Sequence, residues 1–482
     1  MDNEKLKKYE EITKEIGNPY EELNYERTNL SEEIINDFPK LENKEVAVAG
    51  RIMAIRKQGN ICFADLVDEK GKIQLYIKSE EFKDYKIFIE KNFIDRGDII
   101  GAKGIVTKTK RGEISVLVKE IKLLAKALNN LPEKFHGLKD TEIIYRKRYL
   151  DLIMNSASKD VFIKRSKIVA HIRDFMNKRG FIEVETPILQ PIYGGGEAKP
   201  FKTHHNELDM DMYLRIAPEL YLKKLIVGGL ERIYEIGKLF RNEGIDTKHN
   251  PEYTSMEIYW AYKSADDMMK LTEEIITSAC ETVLGKTKIE YADTTLDFTA
   301  PFERITMVDA IKKYGDIDVN KLSIDEMKKI AEKHNIKIEK HMGKGHLIEL
   351  FFEEFAEKKI IQPTFVIDYP VEISPLAKRK KNNKEITDRF ELFAYGRELC
   401  NGYSELNDPI DQKKRFEEQT QKRKLGYEEA HMMDLSFIDA LEYGMPPTGG
   451  VGLGIDRLVM FLTNSQSIKD VILFPTLRKE EN

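Results

Sequence analysis

Arg241 and Glu243 open a polar stretch, FRNEGIDTKHNPEYTSMEIYWAY, that covers residues 240–262 of a 482-residue chain. Residues i and i+2 of a strand share a face. Arg241 and Glu243 then form one polar pair and Glu257 and Tyr259 another, while Met256, Ile258 and Trp260 point the other way as core. Folded as a hairpin, the stretch either turns its four polar residues into one cavity or lays them on a wet sheet surface. A second stretch, RFELFAYGRELCNGYSELND (389–408), carries Asn401, Tyr403 and Glu405 at the same spacing. Glu391 and Glu398 flank a turn expected near Tyr395 and Gly396, so hairpin pairing brings two carboxylates together. Such a pair suits a divalent cation, and oxygen ligands shared with phosphates favour Mg2+; the plainer reading is two surface acids. In GVGLGIDRL (450–458), Gly450, Gly452 and Gly454 precede a helix with Arg457 in its first turn. Bare backbone and a helix N-terminus both admit a phosphate.

Strands and helices must hold these residues. The chain is too long for one ordinary core, which predicts two or three domains. Residues 1–44 read as charged helical pieces broken at Gly17 and Pro19. Residues 45–127 hold five short β-rich runs separated by turns such as DEKGK and KRGE, the pattern of a small barrel of the OB type. Residues 128–159 read as a hinge passing into a helix, and 160–482 as an α+β domain with a helical insertion around 264–345. Within it, Val161, Ile168, Ile172 and Phe175 share one helical face ahead of Gly180. HMGKGH departs from the phosphate-loop pattern and reads as a turn; LAKRKKNNK reads as an exposed basic loop or an RNA contact.

Charge and composition narrow the class. Residues 51–126 hold 17 Lys and Arg against 11 Asp and Glu, in a chain whose formal net charge is −5. A local positive excess fits either a polyanion partner or a solvated surface. No apolar run reaches membrane-spanning length, and the charged N-terminus lacks a secretory h-region. Cys62, Cys280 and Cys400 form no CxxC pair, which predicts a reducing, cytoplasmic setting.

Taken in order, these segments resemble the class II aminoacyl-tRNA synthetases, and within them the lysyl branch. RGFIEVETPIL resembles motif 1, FRNEG…HNPEYT motif 2 and GLGIDRLVM motif 3, while THHNELDMDMYLRIAPELYLKKL, FHGLKDTEIIYRKRYLDL and NGYSELNDP narrow the match. The resemblance implies an OB-fold anticodon-binding domain, a catalytic antiparallel sheet flanked by helices, and a homodimer built around motif 1 near Pro187. It implies activation of L-lysine by ATP with Mg2+, then transfer to tRNA(Lys), with no membrane partner. Carried over by motif, Arg241 bridges the α-phosphate and the lysine carboxylate, and Asn242, Glu243, His249 and Asn250 belong with ATP. Glu391 and Glu398 match the metal ligands, Gly452 and Gly454 border the nucleotide, and Arg457 meets the γ-phosphate.

Lysine offers two ammonium groups on an apolar stem, so its site needs acids at both ends and an aromatic wall. The resemblance gives the α-amino end to Gly195 and Glu219 and the ε-ammonium to Glu405 with Tyr259. Tyr403 packs on the methylenes, and Glu257 and Asn401 complete the pocket. The family often has Phe at position 403, and Cys400 stands where Gly or Ala is more usual. For the anticodon the expected residues are Phe63 and Gln74 on the second and third barrel strands, with Arg56 and Glu113 in nearby loops or edges; Phe63 as plain core is the alternative. The competing readings are an aspartyl- or asparaginyl-type synthetase, an inactive RNA-binding paralogue and a protein-lysylating relative. The first needs a basic pocket, the second lost site residues, and the third no barrel.

Overall fold

The computed structural model describes residues 2–132, 140–339, 341–424 and 429–479. It divides into two compact units, residues 1–139 and 140–482.

The first unit is built on alternation. Helices α1 (Asn3–Ile16), α2 (Ser31–Asn36) and α3 (Phe38–Leu41) precede strands β1 (Glu45–Gln58), β2 (Ile61–Val67), β3 (Lys72–Lys78), β4 (Ile99–Lys108) and β5 (Ile114–Ala125). The strands close a barrel in the order β1-β2-β3-β5-β4, antiparallel except for the parallel β3–β5 pair. Every second residue is interior: Cys62, Ala64 and Leu66 on β2, Ile73, Leu75 and Ile77 on β3, Val116 and Val118 on β5. Ile12 of α1 and Ile34 of α2 join that core. A closed barrel leaves no edge strand to be capped.

The second unit begins with α4 (Thr141–Arg146), α5 (Arg148–Met154) and α6 (Ser156–Lys178). The division between the units falls within the stretch 128–159 expected as a hinge: residues 133–139 lie outside the described residues, and 140–159 belongs to the second unit. Buried Arg148 pairs with Asp151 at 2.8 Å and donates to the carbonyls of Lys469 and Leu473 at 2.8 and 3.0 Å, which fastens the segment to the end of the chain. Short strands β6 (Ile182–Glu183), β7 (Leu189–Gln190), β8 (Lys202–His205) and β9 (Met210–Leu214) follow. Next come α7 (Glu219–Val227), β10 (Arg232–Phe240), β11 (Glu252–Ala261) and α8 (Ala265–Leu284).

The expected helical insertion at 264–345 is mixed. Helix α8 packs beneath the main sheet, β12 (Lys288–Tyr291) and β13 (Thr294–Asp297) pair as a hairpin, and β14 (Glu303–Thr306) joins the sheet edge. Helices α9 (Met307–Gly315), α10 (Ile324–Lys333) and α11 (Lys344–Phe355) gather a separate core around Phe351 and Phe352. The chain ends with β15 (Thr364–Ile367), β16 (Arg389–Ala394), β17 (Arg397–Ser404), α12 (Pro409–Lys424), α13 (Leu435–Glu442), β18 (Thr448–Gly454), α14 (Ile455–Leu462) and α15 (Ile468–Val471).

Eight strands form the main sheet in the order β14-β15-β16-β17-β18-β11-β10-β6. Its centre is antiparallel, and only the outer pairs β14–β15 and β10–β6 are parallel. One face is apolar. Met256, Ile258, Val451, Leu453, Phe390 and Leu392 pack on α6, α8 and α14, and α6 contributes Ile168, Ile172 and Phe175 as its periodicity predicts. The other face is polar and holds the cavity described next.

Candidate active site

Strand register assembles the floor. Tyr253, Ser255, Glu257 and Tyr259 on β11 share the polar face, and Glu257 and Tyr259 stand opposite Gly452 and Gly450 of β18. On the other flank Asn401 and Tyr403 of β17 stand opposite the same two glycines. With no side chain between them, the flanking residues border one cavity of about 310 Å³. The glycines therefore act from within a strand, not from a glycine-rich turn. A Cβ on Gly450 would lie 1.9 Å from Glu405 Oε1.

Arg241 and Glu243 do not lie on a strand as expected. Strand β10 ends at Phe240, and the loop 241–251 carries both into the cavity wall with Lys248, His249 and Asn250. The loop is fixed internally: His249 Nδ1 meets Asp246 Oδ2 at 2.8 Å, and Asn250 Nδ2 donates to the Glu252 carbonyl at 2.6 Å. Asn250 Oδ1 accepts from the Thr476 backbone at 3.2 Å, so this side chain shapes the loop at both ends of its amide. Asn242 is exposed and outside the lining; its backbone N–H bonds the Lys199 carbonyl at 2.7 Å.

One end of the cavity is acidic. Glu219, at the start of α7, accepts from the Tyr403 hydroxyl at 2.6 Å and from Lys223 Nζ at 2.5 Å. Lys223 Nζ also meets Glu405 Oε2 at 2.5 Å. Burial acts downward on the Lys223 ammonium, but Glu219 and Glu405 outweigh it and hold the group charged. Burial pushes the Glu405 carboxyl up, and Lys223 opposes the shift. Glu257 accepts from the Tyr259 hydroxyl at 3.0 Å, and burial, then its neighbour Glu219, pushes its carboxyl up to about 8. Gly195 takes φ +80°, where a Cβ would sit 2.9 Å from the Glu219 Cβ.

The other end mixes arginines with carboxylates. The Arg241 guanidinium lies 5.5 Å from the Tyr253 ring centre, and its buried Nε has no hydrogen-bond partner among the described residues. Arg457, in the first turn of α14, donates to the Glu398 carbonyl at 2.6 Å and to its Oε2 at 3.1 Å. Burial acts upward on Glu398, but Arg457 and Arg241 outweigh it and hold the carboxyl below its ordinary value. The β16–β17 hairpin sets Glu391 opposite Asn401 and Glu398 opposite Phe393, and its turn has Tyr395 at φ 51° and Gly396 at φ 59°. Two successive left-handed residues are the tight-turn geometry that suits strand twist. Glu391 stands one layer behind the cavity lining, with its Oε1 2.6 Å from Arg389 Nη2. Burial pushes its carboxyl up to about 7, with Arg389 opposing the rise and Glu398 adding to it.

Among the described residues no group of three or more His, Cys, Asp or Glu gathers as a metal cage. Glu391, whose carboxyl the charge of Glu398 helps to raise, and Glu398, already ionised beside two arginines, would still suit a hard dication that takes its remaining oxygens from phosphates.

Several cavity residues escaped the sequence reading. Tyr253 and Lys223 were within reach, the first by strand alternation with Glu257, the second by its i+4 spacing from Glu219 on α7. Arg389, Glu349 of α11 and His431 line the cavity through tertiary contacts that no local period announces.

In the barrel, Phe63 is on the outer face, between interior Cys62 and Ala64, which sets aside the reading as core. It stands opposite Arg56 on β1 and Tyr76 on β3, and the Phe63 and Tyr76 rings stack at 5.0 Å and 10°. Arg56 is thus inside a strand, not in a loop, and it pairs with Asp65 at 3.0 Å. Gln74 Oε1 accepts from Ser115 at 3.0 Å, and Glu113 is exposed just ahead of β5. Tyr76, with Lys78 Nζ 5.0 Å from its ring centre, completes this outer-face aromatic pair and was not anticipated.

A mixed sheet with an antiparallel centre, an acidic pocket and a paired arginine–carboxylate end, together with a five-stranded barrel, define a class II aminoacyl-tRNA synthetase. Residues 140–478 match the family of class II tRNA synthetases for D, K and N, and residues 46–124 match the OB-fold nucleic acid binding domain. Similar proteins include lysine–tRNA ligases of Clostridium tetani (53% identity, covering 99% of this chain and 96% of the relative) and Clostridium kluyveri (54%, 99% and 96%). That of Thermoanaerobacter pseudethanolicus is 56% identical over 96% of this chain and 93% of its own. The chain belongs to the lysine–tRNA ligase family.

Proposed function

We propose that this cavity joins L-lysine to ATP, giving lysyl-adenylate and pyrophosphate, and then passes the lysyl group to the 3′ end of tRNA(Lys). The observation that carries this is the acidic end, where Glu219, Glu257 and Glu405 converge with Tyr259 and Tyr403 on a glycine floor. A substrate with two ammonium groups fits three acids; an aspartate or asparagine side chain does not. The test is ATP–pyrophosphate exchange with each of the twenty amino acids. Lysine alone should support it, and exchange driven by aspartate or asparagine would overturn the reading.

The lysine carboxylate is ionised at neutral pH and needs no general base. Attack at the α-phosphate needs alignment and charge stabilisation. Arg241 faces the developing charge, with Arg457 on the outgoing phosphates. Gly452 and Gly454 let the nucleotide approach the strand, while Glu243 and His249 border it. Glu391 and Glu398 would hold Mg2+, which neutralises phosphate charge when bound. Gly195 and Glu219 take the α-amino group, Glu405 and Tyr259 the ε-ammonium, and Tyr403 covers the stem beside Asn401.

A proton leaves as lysine binds. The Glu257 carboxyl, at about 8, is protonated in the free enzyme at neutral pH, and an arriving ammonium favours its ionised form. The KM for lysine should therefore fall as pH rises towards 8, by up to about tenfold per pH unit, and level off above that. A KM that stays flat across this range, or a Glu257→Gln variant with the wild-type profile, would remove Glu257 from this role.

For the barrel, Phe63 and Tyr76 offer stacking faces to unpaired bases, with Gln74 at the base edges and Arg56 and Glu113 nearby. Phe63→Ala should keep exchange activity and weaken aminoacylation by about 1–3 kcal/mol of base stacking. The loss should shrink for tRNA with an altered anticodon; equal losses for both tRNAs would mean that Phe63 supports the barrel instead. We also place a homodimer contact around motif 1, where Ile182, Ile188 and Leu189 are exposed near Pro187. A 56.0 kDa particle in light scattering would count against it. Three buried free cysteines fit the cytoplasm, and among the described residues no helix is long and apolar enough to cross a membrane.

A further inference from the structure

We propose that Lys223 is a positioning residue: an internal ammonium that divides Glu219 and Glu405, holds one oxygen of each, and fixes the charge to which the substrate must be complementary. The proposal rests on the lysine assignment above. Lys223 is fully buried on α7, and its Nζ reaches Glu219 Oε1 and Glu405 Oε2, both at 2.5 Å. The unshared Glu405 oxygen, Oε1, lies over Gly450 beside Tyr259, facing the cavity. On Glu219 one oxygen, Oε1, takes both Lys223 and the Tyr403 hydroxyl, while on Glu405 Lys223 stands against Oε2 and leaves Oε1 on the Gly450 side.

Charge explains why a fixed cation belongs in a cation-binding pocket. Three carboxylates and one internal ammonium leave two net negative charges once Glu257 ionises. L-Lysine brings two ammonium groups, and its carboxylate belongs with Arg241. Without Lys223 three carboxylates would face two ammonium groups in a buried site. Neighbouring acids in low dielectric do not all ionise, so the free pocket would keep an additional proton. Burial already drives the Glu405 carboxyl upward, and Lys223 is the group that opposes it. The other ionisable groups facing the pair do not replace it. Glu257 and Tyr259 from β11 and Tyr403 from β17 bring no positive charge. Burial holds His431 neutral, and Lys378, whose ammonium burial lowers, makes no ion pair with Glu219 or Glu405 among the described residues.

The test is Lys223→Met, which keeps the length of the side chain and removes its charge, read by lysine-dependent ATP–pyrophosphate exchange against pH. The KM for lysine should rise at least about tenfold at pH 7, and the ratio to wild type should shrink by up to about tenfold per pH unit towards pH 9. kcat at saturating lysine and the KM for ATP should stay within about threefold of wild type, because the lost group orients a binding carboxylate and touches no reacting atom. Lys223→Arg, which keeps the charge, should restore the wild-type shape of the profile. It also serves as the second measurement if Lys223→Met fails to fold by thermal unfolding. A KM raised by one constant factor at every pH would make Lys223 a packing residue. A lowered KM would make it a competitor for the lysine site. Either result, or a Lys223→Arg enzyme with the shifted profile, overturns the proposal. Wild-type enzyme without lysine-dependent exchange would instead overturn the lysine assignment itself.

Discussion

Glu405→Gln should lower kcat/KM for lysine by about 30-fold to several thousand-fold, the equivalent of about 2–5 kcal/mol for truncating one partner of a buried charged pair. Glutamine has nearly the same shape, so the cavity keeps its form and only the charge is lost. Glu405 is buried against the edge of β18, with one oxygen on Lys223 and the other over Gly450. Its amide would present an N–H to one of two ammonium groups, Lys223 or the substrate, and an N–H cannot accept from either. The cost should fall on lysine and spare ATP, since Arg241, Arg457 and Glu398 lie at the other end of the cavity. Lysine titrations of exchange at saturating ATP measure it. A kcat/KM for lysine within about threefold of wild type would remove Glu405 from the side-chain pocket.

Arg241→Ala should reduce kcat for adenylate formation by about 10²–10³-fold, the range seen when one preorganised donor to a developing oxyanion is removed. The guanidinium hangs in the cavity from the residue just past β10, against the Tyr253 ring, and its buried Nε is unpartnered among the described residues. A buried donor held without a partner costs stability, which is expected where the partner is a ligand. Single-turnover adenylate formation separates the chemical step from binding. Normal single-turnover rates with weaker ATP binding would assign Arg241 to nucleotide affinity instead.

The cavity's two strand-borne walls were legible because period two in a strand is a local property. The sequence alone places Glu257 with Tyr259 and Asn401 with Tyr403 and Glu405, and Phe63 was open only because the strand's phase was. What stayed hidden was set by contacts distant in sequence. Strand β10 stops at Phe240 because the loop beyond it is knotted by Asp246, His249 and Asn250, not because the local pattern changes there. Residues 140–159 join the second unit through Arg148 and the carbonyls near residue 470, and no composition shift marks that. Glu391 looked like an open cavity ligand, while its neighbour Arg389 holds it one layer back.

Strand β18 carries two messages written in alternate letters. Its odd partners, Val451 and Leu453, bind the sheet to the apolar layer of helices, while Gly450, Gly452 and Gly454 present bare peptide to the cavity. A slip of one residue would exchange the two sets: branched side chains would fill the substrate space, and glycines would leave gaps in the core. The same residues that keep the sheet stable thus also guard the pocket against misalignment, because any register that fills the cavity is one that the hydrophobic layer already rejects. Correct folding and an open cavity are in this strand a single decision, taken before any ligand arrives.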